Sequence, residues 1–117
     1  MKFLLTYESK SDAPPSPEQM KAIGDLTQEM IESGVVLMTG GLQRPAKGTH
    51  VRFAAGKFSV TDGPFAETKE LIDGFALVEA KSREEALSLA ERFMRVAGEG
   101  EGEILQVYDG GEAPPPR

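Results

Sequence analysis

The sequence predicts an α+β fold of the ferredoxin-like kind, in which two helices lie on one face of a sheet. Three observations support this prediction. Two segments repeat apolar residues at helical spacing, and each begins at a serine and ends at a glycine. Other segments alternate apolar and polar residues or are β-branched and aromatic, as strands are. Their order along the 117 residues is strand, helix, strand, inserted hairpin, strand, helix, strand, which fits one domain.

The first strand and the first helix have clear boundary signals. The segment KFLLTYE (2–8) alternates as a strand does, and the prolines of SKSDAPPS stop it. Ser16 then supplies a hydroxyl N-cap, Pro17 takes the first helical position, and Gln19 is the expected capping-box partner. The helix ends at Gly34. Its apolar stripe, whose methionines we interpret as core packing, consists of Met20, Ile23, Leu26, Met30 and Ile31.

A second strand and a β-hairpin follow. The strand VVLMTGG ends in Gly40 and Gly41, which we interpret as a bulge or a close approach to the loop or a ligand, because the spacing of phosphate-binding loops is absent. The segment THVRFAAGKFSVTD predicts a hairpin that turns at residues 55–56. Pairing Ala54 with Lys57 keeps apolar residues together. One face then carries Val51, Phe53, Phe58 and Val60, and the other carries His50, Arg52, Ser59 and Thr61.

The second half of the chain predicts another strand, helix and strand. The segment LIDGFALVEA is apolar on both faces of its strand. Ser82 and Glu85 form a second capping box, and apolar residues recur at helical spacing up to Gly98. The run GEGEGE turns into a last strand, EILQVYD. Residues 110–117 have no apolar content to dock, so we predict a disordered tail after a domain that spans residues 1–109.

Two helices cover only one face of such a sheet, so the other face predicts a partner. That face carries apolar side chains from three strands: Phe3 or Leu4, Leu77 or Val78, and Leu105 or Val107. An exposed apolar patch of that size is a liability in a monomer. We therefore predict a homodimer in which a second copy packs sheet to sheet.

Composition narrows the chemistry. The chain has no cysteine, which excludes thiol nucleophiles and thiolate metal sites, and its single histidine, His50, disfavours a His-based metal site. A net charge of −6 without a basic stripe disfavours nucleic-acid binding. The N-terminus lacks the features of a signal peptide, and no apolar run is long enough to span a membrane. We expect a cytoplasmic protein with no metal or other bound cofactor.

The segment DGPFAETKE (62–70) carries a family resemblance. Together with SGVVLMTGGLQ, VRFAAGKFSVTDGPF and ELIDGFALVEAKSREEAL, it resembles the YCII-related family, in particular its DGPF-domain branch. The resemblance covers nearly the whole chain, from Met1 to Tyr108. It implies a dimeric α-β barrel of ferredoxin-like protomers. Members are mostly of unknown function; some are similar in fold to muconolactone isomerases and antibiotic-synthesis monooxygenases, and some are linked with extracytoplasmic-function sigma factors.

Asp62 is the central candidate residue. Other branches of the family have a suggested His–Asp active-site pair, and the resemblance makes Asp62 the counterpart of that aspartate. Two interpretations stay open: Asp62 caps the Asp-Gly-Pro turn through backbone amides, or it transfers protons or binds a ligand beside the barrel mouth. His50 is a candidate general base by residue type but the weaker catalytic candidate, because the hairpin register places it on the face opposite Asp62.

The residues after Asp62 are candidate ligand contacts. Phe65 would form an apolar wall, while Lys69 would supply a cation and Glu67 a carboxylate to a small polar ligand. The complete predicted ligand-binding set is Arg52, Gly63, Pro64, Phe65, Glu67, Thr68 and Lys69. The alternative is that the charged residues of this segment form a solvated surface cluster.

Two functions fit these residues. The first is a small-molecule site, either catalytic by acid–base chemistry or purely binding, with Asp62 as its central carboxylate. The second is a non-enzymatic regulatory or interaction module. For that module the resemblance suggests a sigma factor as partner, and the negative net charge suits a basic protein. Whether the chain is an enzyme stays open between the two.

Overall fold

The computed structural model describes residues 1–11, 13–42, 48–62, 72–108 and 111. The elements follow the predicted order, with one addition: a two-residue strand, Gly100–Glu101, lies in the GEGEGE run predicted as a turn. They are β1 (Lys2–Ser9), α1 (Pro17–Glu32), β2 (Val36–Gly41), β3 (Thr49–Ala54), β4 (Lys57–Asp62), β5 (Gly74–Glu79), α2 (Arg83–Ala97), β6 (Gly100–Glu101) and β7 (Ile104–Val107). The α+β class is confirmed. All of the predicted tail except residue 111 lies outside the described residues.

The main sheet is antiparallel and runs in the order β2, β5, β1, with β6 and β7 both pairing with the far side of β1. This order is consistent with a ferredoxin-like fold. Phe3 pairs with Val78, and both are buried beneath the helices. Because neighbouring residues of a strand point to opposite faces, Leu4 and its partners Leu77 and Leu105 lie on the uncovered face. The register thus decides between the alternatives that the sequence left open.

Both helices begin at the predicted serine caps. The Ser16 hydroxyl accepts from the backbone N–H of Gln19 at 3.1 Å, and Ser82 caps α2 in the same way. The predicted capping-box role of the Gln19 side chain is replaced by another contact, because its Nε2 donates to the Ala97 carbonyl at 2.7 Å. The last carbonyls of a helix lack intrahelical donors, so this bond caps α2. Gln19 therefore joins the start of α1 to the end of α2.

The core lies at one end of the space between the helices and the main sheet. Met30 is buried there, which confirms the interpretation of this methionine as core packing. Met20 and Ile31 belong to the same sequence stripe but remain exposed, because the buried stripe of α1 is narrower than its apolar pattern. The buried core consists of Phe3, Leu26, Met30, Val36, Val78, Ala80 and Ala86.

Strands β3 and β4 form a separate two-stranded sheet that hydrogen-bonds to no other described strand. The predicted turn is confirmed: Ala55 and Gly56 have φ angles of 51° and 74°, as a two-residue hairpin turn of the I′ kind requires. The predicted register is also confirmed, since Phe53 pairs with Phe58. All twelve strand residues are exposed. We call this unit, residues 49–62, the hairpin.

The glycines at the end of β2 allow a close approach. A Cβ on Gly40 would lie 3.1 Å from Cε1 of Phe75 on the neighbouring strand, so the ring of Phe75 occupies the space that a side chain would take. The irregularity of the strand lies elsewhere, because the pairing with β5 shifts between Val36 and Met38. The observed close approach is thus to Phe75, and the predicted approach to a loop or ligand stays a prediction.

Candidate functional site

A cavity of about 1050 Å³ lies between the two helices and the main sheet, beside the core. Both helices and strands β1, β2 and β5 contribute to its walls. Its body is apolar and includes Leu5, Ile23, Met30, Leu89, Phe93 and Met94. Small-molecule sites are commonly concave, mainly apolar and roughly 300–1000 Å³ in volume. The cavity therefore has the size and the lining of a site for a small organic molecule.

Small residues explain why this end of the space is open. Gly24 on α1 is exposed and lines the cavity, and a Cβ added there would meet no atom within 4 Å, so this position has room for a larger side chain. The core end has the larger side chains of Phe3 and Leu26 in the corresponding layer. The small residues that line the cavity include Gly24, Gly41, Gly74, Ala76, Ala90 and Ala97. The volume is thus encoded by where the chain places glycine and alanine.

Tyr7 fixes one polar edge of the cavity. Its hydroxyl donates to the Gly98 carbonyl at 2.9 Å, and its ring packs edge-to-face against Phe93 with 5.4 Å between centroids. The bond ties the end of β1 to the residue that ends α2. A tyrosine hydroxyl that donates retains acceptor capacity on its oxygen. Tyr7 therefore places a polar atom beside an otherwise apolar space.

Asp73 fixes a second polar edge, where β1 ends and β5 begins. Its Oδ2 accepts from the backbone N–H of Ser9 at 2.7 Å, and its own N–H donates to the Tyr7 carbonyl at 2.8 Å. Its carbonyl accepts from the N–H of Leu42, just after β2. Asp73 thus joins three strand ends and brings a carboxylate to the cavity rim. Reasoning from the sequence missed this residue; the only signal was a second Asp-Gly pair, IDGF, before β5.

The predicted catalytic residues lie on the hairpin. Asp62 is exposed at the end of β4, and its Oδ1 accepts from the Thr49 hydroxyl at 3.0 Å. It is absent from the described lining of the cavity. His50 pairs with Thr61, so it points to the hairpin face opposite Asp62, as the sequence predicted. The structure therefore does not bring His50 and Asp62 together as a direct dyad.

The predicted ligand contacts divide into two groups. Arg52 lies on the hairpin face that carries His50, away from Asp62. The other predicted contacts lie outside the described residues, so their roles stay predictions: Gly63, Pro64, Phe65, Glu67, Thr68 and Lys69.

Two other features bear on function: metal-binding clusters and membrane-spanning helices. Within ranges 1–11, 13–42, 48–62 and 72–108, no group of three or more Asp, Glu or His side chains is arranged to hold a metal ion. In the same part of the chain, neither helix has the length and apolar character needed to cross a membrane.

Comparison with known proteins gives two matches. A family model described as the YCII-related domain matches residues 1–109. An uncharacterized protein of Rhizobium meliloti (strain 1021) is 33% identical over 113 residues, which cover 92% of this chain and 91% of that relative. The family match includes the main sheet, both helices and the hairpin, so the cavity and the exposed hairpin both fall within it.

Proposed function

This chain belongs to the YCII-related domain family, and on that premise we propose that it binds a small organic molecule in the cavity between its helices and its main sheet. The observation that carries the proposal is the cavity itself, about 1050 Å³ of space bounded mainly by apolar side chains. Apolar walls favour a ligand with a largely apolar body. The polar atoms at the rim favour one or two polar groups at the end of the ligand.

Tyr7 is the group that orients this ligand in our proposal. Its hydroxyl already donates to Gly98, which holds the oxygen in place, and the oxygen accepts a hydrogen bond from the ligand. The ring of Phe93, packed against Tyr7, supplies an adjoining apolar wall. A polar donor group of the ligand therefore lies near Tyr7, with the apolar body directed toward Met30.

Acid–base catalysis by Asp62 is the enzymatic form of the same proposal. Asp62 is the first residue of the DGPFAETKE segment (62–70), and this segment ends three positions before Asp73 on the cavity rim. The connection along the chain supports a joint site in which Gly63, Pro64, Phe65, Glu67, Thr68 and Lys69 complete the ligand contacts. His50 and Arg52 are weaker members, because they lie on the other face of the hairpin.

Substitutions at Gly24 test the location of the ligand. An unbiased metabolite-binding screen by mass spectrometry identifies a ligand, whose affinity is then measured by calorimetry. Gly24→Leu extends a side chain into the open space and is expected to abolish binding, while Gly24→Ala adds only a methyl group and keeps it. Both changes favour the helix, Gly24→Ala by about 1 kcal/mol, so lost binding is not lost folding. Equal affinity in the two variants would place the ligand elsewhere.

Asp62→Asn tests the catalytic form. Asn keeps an oxygen that accepts from Thr49, and the site is exposed, so the fold is expected to persist. With a ligand identified, turnover should fall in Asp62→Asn while binding is retained, because the amide cannot take up a proton. Thr49→Val is the control, since it removes the hydrogen bond between Thr49 and Asp62 but leaves the Asp62 carboxylate in place. Undiminished turnover in Asp62→Asn would remove Asp62 from the chemistry.

We also propose that the chain forms a homodimer through the uncovered face of the main sheet, as in a dimeric α-β barrel. Leu105 is 53% exposed and Met38 is 60% exposed on that face, next to half-buried Leu4 and Leu77. Covering such a patch is favourable at roughly 25 cal/mol per Å². Leu105→Lys places a charge in that interface and is expected to yield a monomer in sedimentation velocity. A dimer as tight as the wild type would contradict the sheet-to-sheet contact.

A second candidate function is binding to a basic surface of an extracytoplasmic-function sigma factor. Its support is the charge distribution, because residues 49–61 carry Arg52 and Lys57 without an acid, so the rest of the chain has a net charge of −8. Electrostatic attraction of this kind weakens with salt. Titration of a purified sigma factor of this class should show salt-sensitive binding, and the absence of binding at low salt would exclude this function.

A further inference from the structure

The hairpin presents an apolar face that the described part of the chain leaves uncovered. Phe53 is 74% exposed and Phe58 is 66% exposed, and they pair directly across the two strands. Val51 and Val60 form the next pair on the same face, each 56% exposed. A two-stranded hairpin by itself is at best marginally stable in water. Two adjacent apolar pairs in this position therefore require a cover.

We propose that a second copy of this chain supplies that cover, so that the hairpin is an arm of the dimer interface. The inference rests on the homodimer proposed above and assigns the hairpin a role in it. Under two-fold symmetry the arm of each copy packs against its partner, beside the contact between the main sheets. The exposed pairs Phe53–Phe58 and Val51–Val60 then become interface residues.

The available area points to a second copy. With two aromatic side chains of roughly 150–250 Å² and two valines at these exposures, the hairpin face presents roughly 400 Å². The uncovered sheet face adds roughly 300 Å² from Met38, Leu105 and Val107, whereas each partner in a standard interface buries roughly 800 Å². Neither surface alone supports a stable dimer, but the two together approach the usual size. The arm thus supplies the area that the sheet contact lacks.

The charges of the hairpin are compatible with this packing. The hairpin carries Arg52 and Lys57 on the face opposite its phenylalanines. Burying a charge in an interface is costly unless it is paired. With both cations on the outer face, the Phe53–Phe58 and Val51–Val60 pairs can pack against the partner while Arg52 and Lys57 remain in solvent.

A tryptophan in the hairpin tests the inference directly, because the chain contains none. Phe58→Trp replaces one aromatic residue with another on the apolar face. Ser59→Trp, on the neighbouring residue that points to the opposite face, is the matched control. We expect the Phe58→Trp emission maximum to shift to the blue across a concentration series, in parallel with the dimer fraction from sedimentation. The Ser59→Trp emission should stay at the wavelength of an exposed indole.

A second measurement is the dimer dissociation constant. The double variant Phe53→Ser/Phe58→Ser should raise it at least about 100-fold, because four phenylalanine side chains per dimer lose their burial. Ser59→Ala should leave it unchanged. A dimer that keeps its affinity in the double variant, with Phe58→Trp exposed, overturns the arm while the sheet contact stands. A wild-type chain that is monomeric throughout the series overturns both, and would assign the hairpin face to another partner.

Discussion

The main sheet and the hairpin are both made of strands with apolar residues on one face, yet they have opposite surroundings. In the main sheet the helices cover that face, and Val78 is only 1% exposed. In the hairpin the corresponding valine, Val60, is 56% exposed. The strand pattern is equally clear in both, so alternation predicts that a face needs a cover without saying which part of the molecule, or which second molecule, provides it.

The covered face of the main sheet contains a second contrast. Toward one end the helices and the sheet meet through Phe3, Leu26 and Ala86, which fill the layer. Toward the other end glycine and alanine leave the cavity, and polar bonds from Tyr7 and Asp73 hold its rim. Packing stabilises the first region, whereas the second gives up packing for accessible volume. The comparison therefore separates the packed part of the layer from the part that we propose as the binding site.

The largest expected effect is a difference in stability between two glycine substitutions, one beside the main sheet and one in the hairpin turn. A Cβ on Gly102 would overlap the backbone carbonyl of Thr6, a rigid neighbour in the main sheet. Gly102→Ala is therefore expected to cost at least about 3 kcal/mol of unfolding free energy. Gly56→Ala, in the hairpin turn, meets no atom within 4 Å and bears only the strain of its φ of 74°, about 1 kcal/mol. Urea denaturation measures both, and similar losses would contradict the contrast.

The same substitution in both sheets gives the next effect. Val78→Ala removes two buried methyl groups and leaves a cavity, so it should lower the unfolding free energy by about 2 kcal/mol. Val60→Ala should cost less than about 0.5 kcal/mol in the monomer, because its side chain is exposed there. Urea denaturation at protein concentrations too low for dimer formation measures both losses of unfolding free energy. A large loss in Val60→Ala under these conditions would mean that its own chain covers the hairpin.

A smaller effect concerns the cavity rim. Tyr7→Phe removes the hydrogen bond to Gly98 and keeps the ring packed against Phe93, so we expect a loss of about 1 kcal/mol. Hydrogen exchange should show the loss as faster opening near Gly98, at the end of α2. Protection at Ala80, a buried residue outside the cavity lining, should follow only the change in global stability. Equal acceleration at both places would show that the two ends are not distinct.

The smallest effect lies on the outer surface of the helical layer. The hydrogen bond with Asp25, together with its charge, raises the pKa of Lys21 above the ordinary 10.5. A raised pKa stabilises the fold below the ordinary pKa, and this contribution is lost as pH rises through the raised value. Asp25→Asn should lower the pKa of Lys21 in an NMR titration without a measurable change in Tm at neutral pH, because the pair is exposed. A clear drop in Tm would show that surface ion pairs help to stabilise the helices that cover the main sheet.

Local chemistry made much of the fold predictable. The serine caps at Ser16 and Ser82 and the hairpin turn follow from residues a few positions apart, and the structure has them as predicted. The hairpin register follows from alternation once the turn is placed. The candidate site was less predictable. Asp62 stood out by its motif, whereas Asp73 had only a common dipeptide to indicate it. The side chain of Gln19 was predicted to cap its own helix, but it caps the end of α2 instead.

The sequence by itself determined the order of the elements, their caps and the pairing within the hairpin, because these depend on neighbours along the chain. Only the tertiary structure decided what joins distant segments. Asp73 binds Ser9 across 64 positions, Gln19 reaches Ala97 across 78, and Tyr7 reaches Gly98 across 91. The cavity is of the same kind, since its volume depends on which small residues face one another across the layer. Such contacts leave no periodic trace in the sequence, because each depends on the relative placement of whole helices and strands.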